Sequence, residues 1–141
     1  MEIKNFSTEY LDGVAEIERA CFSNPWDKPA LEAELNNACA HIYVATDGGR
    51  VIGYAMVYCV CGEVDIARVA VMPEYRRMGI ATQLLKKSFE DNEAECVFLD
   101  VRESNAAAIK LYESLGFEEV GVRKNYYNDP TENAVLMKRG N

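Results

Sequence analysis

Two successive strand-then-helix units fill most of the second half of this 141-residue sequence and leave few folds open. Apolar runs typical of strands cover residues 63–71, 95–101, 117–125 and 134–138. Patterns with helical spacing cover residues 80–92 and 104–115. The run at 95–101 has an almost continuous apolar centre, which predicts a strand buried on both sides. This order predicts an α/β fold with a mixed central β-sheet and helices on both of its faces.

The first half adds a short edge strand and a β-hairpin, whose strands cover residues 2–6, 41–46 and 50–59. Two helices lie between the edge strand and the hairpin. Thr8 and Asp27 have the side-chain oxygens that helix N-caps use, and Ser104 is predicted to cap the last helix in the same way. A chain of this length fits one domain, which we predict to span residues 1–141.

The net charge of −8 argues against broad nucleic-acid binding, which requires a basic surface. An acidic protein suits a cationic partner instead, such as an amine or a basic peptide. The sequence has no stretch of ~18 apolar residues, and its first residues show no apolar run behind a basic cap. We therefore expect a cytoplasmic protein with neither a membrane nor a nucleic acid as its partner.

The chain has five cysteines and a single histidine, His41. Cys59 and Cys61 are the one closely spaced cysteine pair, which falls short of the four soft ligands that a zinc site usually needs. We therefore expect no bound metal. The thiols are expected to be reduced and buried, because free cysteine packs like a small apolar side chain.

A turn between a strand and a helix has the features of a phosphate-binding site. The strand ends at Val71, and the helical pattern follows Gly79. The first N–H groups of a helix have no partners inside it, and the helix dipole favours negative charge at that end. Gly79 and Ala81 allow the backbone to approach a phosphate, and Arg76 and Arg77 add positive charge at the rim. The alternative is that Gly79 only eases a turn and that the arginines are solvated.

The run Arg76-Arg77-Met78-Gly79-Ile80-Ala81 matches the Arg/Gln-x-x-Gly-x-Gly/Ala signature, and in this the chain resembles the GNAT family of acetyltransferases. The resemblance implies the GNAT fold and acetyl-CoA as cosubstrate. Ala81 replaces the second glycine, a change that the family tolerates. The implied contacts of the pyrophosphate are Arg77, Met78, Gly79, Ile80, Ala81 and Thr82. The implied backbone partners of the pantetheine arm are Val69, Ala70 and Val71.

A second, longer segment is more specific. Residues 99–117, LDVRESNAAAIKLYESLGF, closely resemble the ribosomal-protein-alanine N-acetyltransferase subgroup of that family. Residues 20–26, 123–127 and 134–137 resemble the same subgroup. The resemblance implies that the chain acetylates the N-terminal alanine of a small-subunit ribosomal protein. Its partner would then be the N-terminus of a basic protein.

Two side chains in this segment are candidates for the proton transfers of amide formation. The leaving CoA thiolate needs a proton, and the resemblance implies that Tyr112 donates it. A phenol with a pKa near ~10 suits this role, and a core tyrosine bonded to a backbone carbonyl is the alternative. The subgroup has a glutamate base where this chain has Asp100, which is one methylene shorter. Asp100 acts directly or through a water, or it only binds the ammonium or pairs with Arg102. Glu103 and Glu63 are further candidates.

Asn105 precedes the helix that carries Tyr112, and the resemblance implies that its side chain hydrogen-bonds CoA. A side chain of this type also satisfies backbone N–H groups in a first helical turn, and the two roles are compatible. By the same resemblance, Tyr126 and Tyr127 flank the peptide groove. Packing on the rim of the sheet is the alternative for both tyrosines.

Other acceptors stay open, because a fold alone does not choose a substrate. One alternative is acetylation of a small-molecule amine or an internal lysine. Another is a CoA-binding regulatory module with little activity, since Asp100 stands in place of the expected glutamate.

Overall fold

The computed structural model describes residues 1–140, which contain a seven-stranded β-sheet and four α-helices. The strands are β1 (Glu2–Asn5), β2 (Ala40–Asp47), β3 (Arg50–Val60), β4 (Glu63–Val71), β5 (Cys96–Arg102), β6 (Glu118–Tyr127) and β7 (Glu132–Gly140). The helices are α1 (Leu11–Cys21), α2 (Lys28–Ala33), α3 (Ile80–Asp91) and α4 (Ala106–Ser114). In space the strands follow the order β1-β2-β3-β4-β5-β7-β6. The β4–β5 pair is parallel and the other neighbouring pairs are antiparallel, so the sheet is mixed as predicted.

The sheet separates two hydrophobic cores, which confirms the prediction of helices on both faces. Leu84 of α3 and Tyr112 of α4 belong to the core on one face. Ile17 of α1 and Leu31 of α2 belong to the core on the other face. Burial of a large apolar side chain contributes about 1.5–3 kcal/mol, so both cores hold the helices onto the sheet. No helix within residues 1–140 is both long enough and apolar enough to span a membrane.

The N-terminal helices begin only partly as predicted. Asp27 caps α2, because its Oδ1 accepts a hydrogen bond from the Ala30 N–H at 2.9 Å. The predicted cap at Thr8 is wrong. Thr8 begins a short 3-10 turn, and α1 starts three residues later at Leu11 without a side-chain cap.

The predicted cap of α4 is also wrong by one residue. Asn105, and not Ser104, precedes the first turn, and its Oδ1 accepts a hydrogen bond from the Ala108 N–H at 3.1 Å. Ser and Asn are both good N-caps, so composition alone did not separate them. Of the two roles predicted for Asn105, the structure therefore shows the bond to a backbone N–H in the first helical turn.

Strand β5 is buried on one face only, contrary to the prediction. Val97, Leu99 and Val101 are buried against the core under α3 and α4. On the other face of the strand, Phe98 is half-buried and Asp100 is exposed. The reason is that α1 and α2 pack over β2, β3 and β4, and leave the β5 part of that face open.

The prediction of buried thiols is wrong as well. All five cysteines are free, but none of them is fully buried. Cys39 and Cys61 are exposed, because they lie beside strand ends where the backbone turns toward solvent. Cys21, Cys59 and Cys96 are half-buried.

Candidate active site

A wedge opens in the sheet between β4 and β5. The two strands pair only between 63–65 and 96–98. Beyond this point β4 continues to Val71 with β3 as its neighbour, and β5 continues to Arg102 with β7 as its neighbour. One backbone edge of β4 therefore stays open from about Ile66 onward. Open backbone groups inside a sheet are ready partners for an extended ligand.

The backbone of β4 directs alternate residues into this wedge. The Met72 N–H donates to the Ile52 carbonyl of β3 at 2.8 Å. Strand alternation then turns the polar backbone groups of Ala70 toward β3, and those of Val69 and Val71 toward the wedge. The predicted pantetheine contacts fit this geometry at Val69 and at the Val71 N–H, whereas the Val71 carbonyl already accepts a hydrogen bond from Arg76. The predicted backbone contact at Ala70 does not fit, because its N–H and C=O face β3 and its side chain is buried in the core.

The turn before α3 forms a cradle of free N–H groups. Arg77 and Gly79 both have left-handed backbone angles, with φ of 67° and 76°, and such alternation turns successive N–H groups to one side. Within residues 1–140 the N–H groups of Arg77, Met78 and Gly79 donate no backbone hydrogen bond. The next three N–H groups open α3, where no preceding turn supplies carbonyls. The first bond of the helix runs from Gln83 N–H to the Gly79 carbonyl.

The space above this cradle fits a phosphate group. A Cβ atom added to Gly79 would meet no atom within 4 Å, so the backbone there is open to a ligand. The dipole of α3 adds partial positive charge at the same place. Arg77 and Met78 are exposed at the rim, whereas the Ile80 side chain is buried in the core, so Ile80 can contribute only its backbone.

Arg76 does not take the predicted place at the rim. Its guanidinium Nε donates to the Val71 carbonyl at 3.0 Å, and its Nη2 lies 3.6 Å from the Cys21 Sγ. Arg76 thus ties the turn to the end of β4 and to the end of α1. Arg77 is the arginine left to add charge beside the cradle.

Tyr112 sits in α4 with its ring against the core. It is 7% exposed, and its ring packs edge-on against Phe117 with 5.6 Å between the centroids. Burial, with a smaller contribution from the nearby Tyr127 phenol, raises the pKa of Tyr112 to about 12. The phenol therefore carries its proton at neutral pH. Its hydroxyl makes no hydrogen bond with other residues in 1–140, unlike the core residue Tyr54, which donates to Glu18.

Asp100 lies on the open face of β5, opposite the core. Its nearest cationic partner is Arg123 of β6, with 3.7 Å between Oδ1 and Nε. The predicted alternative of a pair with Arg102 is wrong. Arg102 bonds to Glu132 at 3.2 Å instead, since its side chain turns toward the loop between β6 and β7.

Tyr127 links the two predicted catalytic residues. Burial and then the Asp100 carboxylate raise the pKa of Tyr127 to about 12, and the Tyr127 phenol in turn raises that of Tyr112. Tyr127 is therefore close enough to each of the two residues for an electrostatic interaction. Arg102 lies over the Tyr127 ring at 4.5 Å and bonds to the carbonyls of Asn128 and Pro130, which fixes the segment that carries Tyr127.

Sequence reasoning missed a second carboxylate at the wedge. Asp65 lies on β4 where the strand is still paired with β5, and burial, Glu63 and Asp100 raise its pKa in that order. Glu63 and Asp65 are two residues apart on one strand, and this spacing places both on one face. The two-residue spacing of Glu63 and Asp65 was the sequence signal that could have identified Asp65. Glu103 is exposed beyond the end of β5.

A family model for the acetyltransferase (GNAT) family matches residues 11–117. The chain belongs to the GNAT family of acetyltransferases. It is an acetyl-CoA-dependent N-acetyltransferase. It is 34% identical over 140 residues to the ribosomal protein bS18-alanine N-acetyltransferase of Escherichia coli K12, which covers 96% of this chain and 94% of that protein. A relative from Bacillus subtilis is 35% identical over 139 residues, 96% of this chain and 92% of that protein.

Solved structures show the same similarity. The crystal structure of the ribosomal-protein-S18-alanine N-acetyltransferase from Escherichia coli superposes with a TM-score of 0.88 and 33% identity, over 98% of this chain and 92% of that one. Naa20 from Chaetomium thermophilum, in complex with a bisubstrate analogue, superposes with a TM-score of 0.84 and 27% identity, over 99% and 86%. The predicted GNAT fold is therefore confirmed.

Substitution separates the two predicted roles of Asn105. Asn105→Ala removes the cap and is expected to lower the free energy of unfolding by about 0.5–2 kcal/mol. Asn105→Asp keeps a capping oxygen but removes the amide N–H₂, so stability should change little. If the amide binds CoA, Asn105→Asp should bind acetyl-CoA about 3–10-fold more weakly than the wild type although its stability is unchanged. Urea unfolding and calorimetric titration measure the two effects, and a wild-type Kd in Asn105→Asp would exclude the CoA contact.

Proposed function

We propose that this enzyme transfers the acetyl group of acetyl-CoA to the N-terminal amine of a protein, and that the acceptor is the N-terminal alanine of a small-subunit ribosomal protein. The observation that carries the proposal is the open backbone edge of β4, which leads to the cradle of free N–H groups at residues 77–79. The Escherichia coli relative, named for alanine acetylation of bS18, supports the choice of acceptor. The net charge of −8 suits a basic protein as partner.

The arrangement divides the cosubstrate between two parts of the site. The N–H groups of residues 77–82 hold the pyrophosphate, and the backbone of Val69 together with the Val71 N–H pairs with the pantetheine arm. The thioester then lies in the wedge, between Tyr112 on one side and Asp100 on the other. Asn105 adds a hydrogen bond to CoA from the start of α4.

Tyr112 acts as the general acid. The acceptor amine attacks the thioester carbon, the carbon–sulfur bond breaks, and CoA leaves as a thiolate. Tyr112 donates its phenolic proton to that sulfur, and solvent returns a proton to the phenolate. A phenol held at a pKa of about 12 stays protonated until the thiolate forms, so it does not lose its proton beforehand.

Asp100 or a water that it holds accepts the proton that the amine loses. Asp100 is exposed on the open face, where the acceptor enters. An aspartate reaches less far than a glutamate, and a bridging water closes the distance. Arg123 lies beside the carboxylate, with its Nε 3.7 Å from the Asp100 Oδ1.

Asp100→Asn is expected to lower kcat about a hundredfold, because an amide cannot accept the proton. Asp65→Asn is the matched variant, since Asp65 lies on the neighbouring strand and its titration is affected by Asp100. We expect a much smaller loss of kcat from Asp65→Asn. Steady-state CoA release against pH measures both variants. A fully active Asp100→Asn together with an inactive Asp65→Asn would move the base to β4.

A substrate panel tests the proposed acceptor. CoA release is followed with otherwise identical basic peptides that begin with Ala, Ser, Met or acetyl-Ala, and with spermidine. The proposal expects the highest kcat/KM for the free alanine terminus and no turnover of acetyl-Ala. Turnover of spermidine alone would point to a small-molecule amine. Binding of acetyl-CoA without any turnover would point to a regulatory module.

A further inference from the structure

Helix α1 carries a carboxylate that is completely buried and has no part in the proposed chemistry. Glu18 has no exposed surface. Its Oε2 accepts a hydrogen bond from the Tyr54 hydroxyl at 2.5 Å, and its Oε1 accepts one from the Trp26 N–H at 2.8 Å. The guanidinium of Arg68 lies 3.8 Å from the same Oε1. Both carboxylate oxygens are therefore engaged.

A buried charge needs such partners, because its removal from water costs several kcal/mol. An apolar residue would fill this position on α1 without that cost. Val14, one turn earlier, and Ile17, the preceding residue, are both apolar and buried. What an apolar residue cannot do is bond to the backbone of the segment after α1. Glu18 thus connects Trp26 to the sheet residues Tyr54 and Arg68.

Arg68 extends this connection along residues 22–26, which we call the α1–α2 segment. Its Nη2 donates to the Asn24 carbonyl at 3.0 Å, and its guanidinium lies 4.0 Å from the centre of the Phe22 ring. Arg68 belongs to the part of β4 that has separated from β5. The α1–α2 segment therefore lies beside the wedge.

The acceptor must reach the wedge from the face that carries this segment. The opposite face is closed, because α3 and α4 pack there with Leu85, Val97 and Leu99. Asp100 lies on the open face, because it alternates along β5 with the core residues Leu99 and Val101. The α1–α2 segment forms the boundary of that open area on the β4 side.

We propose that Glu18 is a positioning residue for the acceptor: with Arg68 it holds the α1–α2 segment as one wall of the cleft that receives the acceptor chain. The proposal rests on the proposed function in that it assumes an acceptor that enters this cleft. It does not depend on the acceptor being an alanine terminus. Glu18 touches neither substrate, so its loss affects the binding of one substrate and leaves the chemistry in place.

Glu18→Gln tests this role with little change in volume. The amide keeps an oxygen for Trp26, but it loses the charge that faces Arg68. The matched control is Glu16→Gln on the exposed side of the same helix. We expect KM for the acceptor to rise roughly tenfold in Glu18→Gln, which is the size of effect that the loss of one charge-assisted hydrogen bond produces. We expect kcat and the Kd of acetyl-CoA to stay within twofold of the control. We also expect faster chymotrypsin cleavage after Phe22 or Trp26.

An acceptor KM equal to that of Glu16→Gln would overturn the proposal. It would also be overturned if the Kd of acetyl-CoA rose in the same proportion, because that result indicates a general loss of structure. If Glu18→Gln does not fold, Arg68→Gln takes its place, since Arg68 is partly exposed and holds the same segment, and the same readouts decide. If the wild type acetylates another amine, the proposed acceptor fails, and KM for that amine together with the cleavage rate still decides the role of Glu18.

Discussion

Tyr112→Phe is expected to lower kcat by about 10²–10⁴-fold while the Kd of acetyl-CoA stays near that of the wild type. The substitution keeps the buried ring against Phe117 and removes only the hydroxyl. The loss corresponds to about 2.7–5.5 kcal/mol of transition-state stabilisation. Stopped-flow or steady-state CoA release gives kcat, and calorimetric titration gives the Kd.

Tyr43→Phe is the control for this prediction. Tyr43 is also a buried tyrosine, and its hydroxyl accepts a hydrogen bond from Asn92 at 3.2 Å, away from the wedge. Removal of that hydroxyl tests the general cost of losing a phenol from the core. An equal kcat in Tyr112→Phe and Tyr43→Phe would end the role of Tyr112 as the acid.

Gly79→Val is expected to weaken acetyl-CoA binding about tenfold to a hundredfold. The added Cβ would occupy the open space in front of the cradle, where the pyrophosphate approaches. A β-branched residue also resists the left-handed angle of 76°, so the turn itself is strained by about 1–3 kcal/mol. Calorimetric titration with acetyl-CoA measures the effect.

Gly49→Val separates these two causes. Gly49 has a left-handed φ of 87° and open space around it, but it lies in the turn between β2 and β3. It therefore carries the same kind of strain without a ligand nearby. We expect a comparable loss of stability and an unchanged Kd for acetyl-CoA in Gly49→Val. An unchanged Kd in Gly79→Val as well would contradict the phosphate cradle.

The fold was predictable because its signals are local. The spacing of apolar residues placed every strand, because an alternating or a continuous apolar run can be recognised over a few residues. The helix starts at Thr8 and Ser104 were wrong, because neighbouring residues also offered suitable caps and the tertiary path of the chain chose among them. The position of β7 between β5 and β6 was not predictable either, because strand pairing depends on contacts that are distant in the sequence.

The candidate site shows the same division. Its linear motifs, the turn around Gly79 and the helix around Tyr112, were visible in the sequence. The wedge was not, because it arises where β4 and β5 stop pairing. The environment of Asp100 was missed for this reason: its neighbours Arg123 and Asp65 come from two other strands. The roles of these residues stay predictions until the variants are measured.

The central claim is tested most directly by locating the acetyl group on a product. The enzyme is incubated with acetyl-CoA and a basic peptide that begins with alanine and contains internal lysines, and tandem mass spectrometry then assigns the modified position. We expect one acetyl group on the α-amine of the first residue, and none on the lysines. Acetylation of the lysines alone, or no acetylation by protein that binds acetyl-CoA, would contradict the claim.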